Sequence, residues 1–170
     1  MSEPGDIPVT IRPYRACDRD ACRRLYSDGL LGGKLAENDT GIDLDDIESV
    51  YLKHEGNHFW VAEAADGQVV GMIGVQHYEQ GKGQIRRLRV CSQLRRRGIG
   101  SALMETALKF CQDQNYLKIT LDTFMEREPA IKLFEKFHFK HHRTREVSGK
   151  ALMYFFLDLY ENERVSRNHK

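Results

Sequence analysis

Apolar and polar positions along the chain repeat with two different periods. An alternation suited to half-buried strands runs through VTIRPY (Val9 to Tyr14), QIRRLRV (Gln84 to Val90) and LKITLDT (Leu117 to Thr123), the last with Leu117, Ile119 and Leu121 on one face. HFWVAEA (His58 to Ala64) and QVVGMIGVQHY (Gln68 to Tyr78) are richer apolar runs that also predict strands. A helical period appears in Asp18 to Leu30, with Leu25, Tyr26 and Leu30 inward, and in DLDDIESVYLKH, with Leu44, Ile47, Val50 and Tyr51 on one face. It returns after Gly100, with Leu103, Met104, Ala107, Leu108 and Cys111 toward the core. A last helix begins at Pro129 and carries Ala130, Leu133, Phe134 and Phe137.

The connections give these elements an order in space. Asp66-Gly67 is a strong hairpin signal, the GKG at 81–83 supplies a second turn, and FKHHRTREV and ALMYFFLDL form a hairpin around Ser148-Gly149. The helix between the Gln84 and Leu117 strands requires a right-handed crossover, so these two strands should run parallel in an otherwise antiparallel sheet. The segment GLLGGKLAENDTG reads as a loop. One domain is expected over residues 1–160, with a mobile tail over 161–170.

Charge narrows the functional classes. Lys plus Arg number 26 against 25 Asp plus Glu, so no global basic field exists to hold nucleic acid or an anionic membrane, and any cationic role must be local. Hydrophobic residues make up 41% and charged residues 30%, as in ordinary globular domains. The longest apolar run, near the C-terminus, falls short of the roughly 20 residues that cross a bilayer. Four cysteines without a CxxC pair, and an N-terminus without a signal-like apolar stretch, predict a reduced, cytoplasmic protein.

The strongest local charge lies in RRRGIGSALM, Arg95 to Met104, where arginines lead through Gly98 and Gly100 into a helix. Unpaired amides and the dipole at a helix N-terminus attract anions, and glycines let a phosphate approach the main chain closely. A P-loop would need Lys then Ser or Thr after its last glycine, and this chain has Ser101-Ala102. A dinucleotide fingerprint would need a small residue where Leu103 stands, after a buried apolar strand rather than an arginine-rich one.

The spacing of Arg95, Gly98 and Gly100 resembles the R/Q-x-x-G-x-G/A motif of the GNAT superfamily of acyl-CoA-dependent N-acetyltransferases. The preceding LRV and the following LKITLDT and AIKLFEKFHF are similar to the family's pantetheine strand and its AxxLYEKxGF ending, and the element order agrees from Ile11 to Leu159. FWVAEAADGQVVGMIGV and Arg86 to Val90 resemble the camello-like branch. The resemblance implies an α/β fold, a GNAT-like mixed sheet of about seven strands flanked by about four helices, splayed between the fourth and fifth strands. It implies acetyl-CoA as cosubstrate, no metal, a primary amine on a small molecule or peptide as acceptor, and direct attack in a ternary complex. Leu88, Arg89 and Val90 would meet pantetheine through their main chain. Arg95, Arg96, Arg97, Gly98, Ile99, Gly100 and Ser101 would hold the diphosphate, with Arg127 and Phe134 completing the cofactor site. A homodimer is a further expectation from relatives.

The chain departs from the family where proton transfer is handled. The usual tyrosine acid matches Phe134, the usual strand glutamate matches Gln84, the usual asparagine matches Arg127, and the glycine of the GF ending is His138. Val90 N–H is the candidate oxyanion donor, and Glu79 and His77 are candidate bases. The acidic run Ala36 to Glu48 suggests a cationic amine as acceptor, though a solvated helix face accounts for it equally well. Cys91 reads as a packed cysteine, and His138, His141 and His142 as surface residues rather than metal ligands. Two rivals remain: a CoA-binding sensor or pseudoenzyme, favoured by Phe134 and Gln84, and a basic nucleic-acid-binding module, favoured by the arginines at 86, 87, 89 and 95–97.

Overall fold

The structure, a computed structural model, describes residues 5–36 and 38–160. Seven strands form one sheet: β1 (Val9–Pro13), β2 (His58–Ala64), β3 (Val69–Glu79), β4 (Lys82–Val90), β5 (Lys118–Phe124), β6 (Lys140–Val147) and β7 (Lys150–Asp158). Their spatial order is β1-β2-β3-β4-β5-β7-β6, antiparallel everywhere except between β4 and β5. The expected hairpins form at Asp66-Gly67 and Ser148-Gly149. Three α-helices pack on the sheet: α1 (Arg19–Asp28), α2 (Ile99–Asp113) and α3 (Glu128–Lys136). None of the described helices is long and apolar enough to cross a membrane. The tail expected over 161–170 lies outside the described residues.

The two faces of the sheet carry separate cores. Cys22, Leu25 and Tyr26 of α1 close over Phe59, Val61 and Met72 with Leu44, Ile47 and Tyr51. On the other face Leu103, Met104, Ala107 and Cys111 of α2 and Phe134 of α3 cover Ile73, Val75, Ile119 and Phe155. Fully burying side chains of this size contributes roughly 1.5–3 kcal/mol each, which fixes the registers on both sides.

Two elements differ from the reading of the sequence. The helix expected over 43–54 is a 3₁₀ turn, Ile42–Asp45, followed by a π-helical turn, Glu48–Leu52. Leu44, Ile47 and Tyr51 are buried as the helical period predicts and Val50 is half-buried, while Asp43 turns inward with them and bonds Tyr51 and Arg87. Leu117 is 56% exposed, because β5 starts one residue later and buries Ile119, Leu121 and Thr123 instead.

The parallel pair creates the feature that matters for function. β4 and β5 are in register only at Lys82↔Lys118, Gly83↔Ile119 and Gln84↔Thr120, and beyond Gln84 they diverge. A β-bulge drives the divergence: Arg87 and Leu88 together oppose Ile73, and Arg87 takes φ 59°. Bulges of this kind bend a strand and raise its twist.

Candidate active site

The opening between β4 and β5 is a cleft of about 360 Å³, walled by Gln84 to Arg89, Leu121 to Thr123, and Ala130 and Phe134 of α3. It adjoins a second cleft of about 480 Å³ between the end of α1, the loop that follows it, the β5–α3 connection and the β6–β7 turn. Asn38, Asp39, Arg89, Asp122 and Thr123 border both.

Hydrogen bonding along β4 decides which groups face the opening. Cys91 N–H donates to the Val70 carbonyl at 2.8 Å, and Arg89 sits opposite Met72, so both residues direct their main chain at β3. Strand alternation then turns the peptide groups of Leu88 and Val90 into the opening. Arg89 reaches the clefts through its side chain.

At the mouth of the opening stands the N-terminus of α2. Gly98 caps it with φ 81°, a left-handed conformation that costs glycine little, and Arg95 and Arg96 are exposed beside it. Lys136 of α3 donates to Ser101 Oγ at 2.9 Å, which brings a further cation to this turn. Spacing within the Arg95 to Ser101 stretch could not reveal Lys136. The FEK of the closing motif was its only trace.

Arg87 ties the loop after α1 to the bulge. Its guanidinium donates to Asp43 Oδ2 at 2.9 Å and to Asp39 Oδ1 at 2.7 Å, lies 5.2 Å from the Tyr26 ring centre, and is almost wholly buried. Tyr51 donates to the same Asp43 carboxylate at 2.5 Å. Burial pushes both carboxyls up, but the Arg87 hydrogen bonds outweigh it, and Asp39 and Asp43 end below the ordinary carboxylate range. Asp45 pairs with Arg23. Three acids of the run, Asp39, Asp43 and Asp45, are therefore held by the protein's own arginines, which weakens the case the run made for a cationic acceptor.

Asp122 differs from these acids. It lies where the two clefts meet, open to solvent yet surrounded by protein, and burial raises its carboxyl above the usual range against the pull of Arg86 and Arg87. Glu79 and His77 end β3, beside the start of β4 where the sheet is closed. Glu79 pairs with Lys82, the His77 ring lies 6.1 Å from that of Tyr116, and neither residue lines either of these two clefts. Phe134 is buried against Phe139 and Phe155 and presents a hydrocarbon wall to the opening. Cys22 and Cys111 are buried, with thiols pushed up to about 12 by desolvation, which makes both inert at neutral pH.

A splayed parallel pair, a bulged strand whose flank beyond Gln84 pairs with no other strand and a glycine-capped helix at its mouth coincide with a sequence match. The sequence model of the acetyltransferase (GNAT) family covers residues 20–139. The chain belongs to this family. It is 39% identical over 103 residues to N-acetyltransferase 8 of Rattus norvegicus, a match spanning 58% of this chain and 46% of the relative. It is 38% identical over 100 residues to N-acetylaspartate synthetase of the same organism, spanning 58% and 33%. The matched region thus amounts to less than half of either relative. A GNAT-family acetyltransferase from Staphylococcus aureus Mu50 superposes with TM-score 0.78 at 20% identity over 89% of this chain and 99% of that one. The camello-like resemblance agrees with these relatives.

Proposed function

We propose that this GNAT domain transfers the acetyl group of acetyl-CoA to a primary amine by direct attack in a ternary complex. The observation that carries the reading is the unpaired flank of β4 from Ile85 to Val90, open toward β5 and ending at the amides of the α2 N-terminus. A pantetheine arm lies along such a flank as an added strand, meeting the peptide groups of Leu88 and Val90. The diphosphate takes the turn of Arg95, Arg96, Arg97, Gly98, Ile99, Gly100 and Ser101, with Lys136 adding charge. Val90 N–H donates to the carbonyl oxygen as it becomes an oxyanion.

The amine nitrogen attacks the thioester carbon, the C–N bond forms, and the C–S bond breaks on collapse of the tetrahedral intermediate. Asp122 receives the proton the nitrogen loses, and its raised pKa suits it to that task. The CoA sulfur leaves as thiolate and takes its proton from water, since Phe134 has none to give. The free cysteines fit a reducing compartment, and we assign the domain to the cytoplasm.

The test is acetyl-CoA binding by thermal shift, followed by CoA release across a panel of amines. Binding with turnover supports the proposal. Binding with no thiol release from any amine leaves a CoA sensor, and no binding at all ends the reading.

A further inference from the structure

The cleft on the α1 side of the sheet is walled by Arg89, Arg127, Lys34 and Lys150, with Asp39 and Asp122 as its acids. Asp39 is committed to Arg87. Among the described residues Arg89 has no carboxylate partner: its Nη1 donates to the neighbouring Leu88 carbonyl at 2.9 Å, and its Nε is sealed from water with no acceptor. That Nε is the one buried side-chain nitrogen or oxygen without a hydrogen-bond partner among the described residues. Burial, then Arg127, then Arg87, bring the Arg89 guanidinium down to about 10, and Arg127 is lowered by burial and by Arg95. Two arginines thus line one cleft, the charge of Arg127 disfavours that of Arg89, and neither has a carboxylate hydrogen-bonded to it among the described residues.

On the acetyl-transfer reading above, we infer that the acceptor carries a carboxylate beside its amine, and that Arg89 and Arg127 seat it. The position of the cleft favours the acceptor over the cofactor as the source of the anion. Tyr26 and Leu30 of the α1 end, Val147 and Ser148 of the β6–β7 turn and Phe124 line it, whereas no residue of the α2 N-terminal turn does. A planar guanidinium matches a carboxylate in shape as well as charge. Asp122 borders the same cleft, so a carboxylate held by the arginines leaves the amine of an amino acid beside the proposed base and next to the β4–β5 opening. The acceptor class is then amino acids and related amino carboxylates, a narrower class than the cationic amine that the acidic run suggested.

The experiment compares amino acids with their carboxamides and with the matching decarboxylated amines as acceptors for the intact chain. Charge-assisted hydrogen bonds support a loss of about 10- to 100-fold in kcat/KM when the carboxylate is removed. Arg127→Gln and Arg89→Gln should raise KM for the amino acid by about tenfold more than KM for its carboxamide, so that the acid-to-amide preference collapses. Dicarboxylates without an amine, succinate among them, should inhibit competitively against the acceptor in the native protein and lose potency in Arg127→Gln. Because succinate inhibition uses only the native fold, it keeps the test valid should Arg89→Gln fail to fold. Equal turnover of acids, amides and amines overturns the inference while acetyl transfer stands. Arginine variants that weaken acetyl-CoA binding with the acid-to-amide ratio unchanged assign these side chains to the cofactor and also overturn it. Failure of the native protein to bind acetyl-CoA removes the functional reading itself.

Discussion

Gly29 lies against the side chain of Arg89: a methyl group on Gly29 would stand 3.0 Å from Nε and 3.1 Å from Cδ. The close approach, rather than the backbone, requires glycine here, since Gly29 has φ −88°, which any residue adopts. Gly29→Ala should therefore fold normally and displace the guanidinium by a few tenths of an ångström. Misplacement by 1 Å can cost about 100-fold in rate, so a smaller shift should raise the acceptor KM by roughly tenfold. Steady-state kinetics with an amino-acid acceptor, beside an unchanged melting temperature, checks this.

The Arg87 network predicts a strong, pH-dependent stability effect. Arg87→Met leaves Asp39 and Asp43 as buried carboxylates without their cation, and breaking a buried pair from one side costs about 3–5 kcal/mol. Both acids are depressed in the folded protein, so their contribution is complete above the unfolded carboxylate pKa, near 4, and is lost as pH falls through the lower folded values. Denaturant melts of wild type and variant should differ most near pH 7. The gap should narrow as the pH falls, first as the unpaired acids of the variant, raised by burial, take up protons, and then below about 4 as the wild-type pairs lose their charge.

How legible this protein is from sequence follows from the range of each signal. Hairpin turns, strand and helix periods, and the glycine-capped start of α2 are local patterns, and apart from the 43–54 segment and Leu117 they lie where the periodicity puts them. The fate of the acidic run was not legible because Arg87, which holds Asp43, is 44 residues from it, and no spacing rule pairs them. The place of Asp122 where the two clefts meet was hidden for a similar reason. It is the polar residue between Leu121 and Thr123 in an alternating strand and reads as an ordinary outward position until the bulge at Arg87 opens the sheet in front of it. Glu79 and His77 were attractive because they end a strand, but they end it at the closed side of the splay. Arg89 hid within a charge run whose members take separate fates: Arg86 bonds Gln76, Arg87 is buried in ion pairs, and Arg95 and Arg96 remain exposed.

His138 holds φ 69° directly after α3, where the family motif has glycine. It is exposed, so its side chain contributes little packing. A left-handed non-glycine residue stores about 1 kcal/mol or more, partly offset by the greater unfolded-state freedom of glycine. His138→Gly should stabilise by about 0.5 kcal/mol, which corresponds to roughly 1–2 °C in a domain of this size. A melting temperature at or below that of the wild type would show that the histidine is not strained.

Asp122 carries the proton-transfer prediction. Asp122→Asn keeps the shape of the cleft and removes the base, so kcat/KM should fall about 100- to 10,000-fold while acetyl-CoA binding persists. A base works when deprotonated, and burial raises this carboxyl, so wild-type kcat/KM should climb with pH through an acid limb lying above the ordinary carboxylate range. That limb should vanish in the variant. Glu79→Gln and His77→Ala, at the end of β3 beside the closed part of the sheet, should retain wild-type turnover and the same limb. Loss of activity in either of those with Asp122→Asn unimpaired would move the base to the far end of the strand and contradict the geometry of the splay.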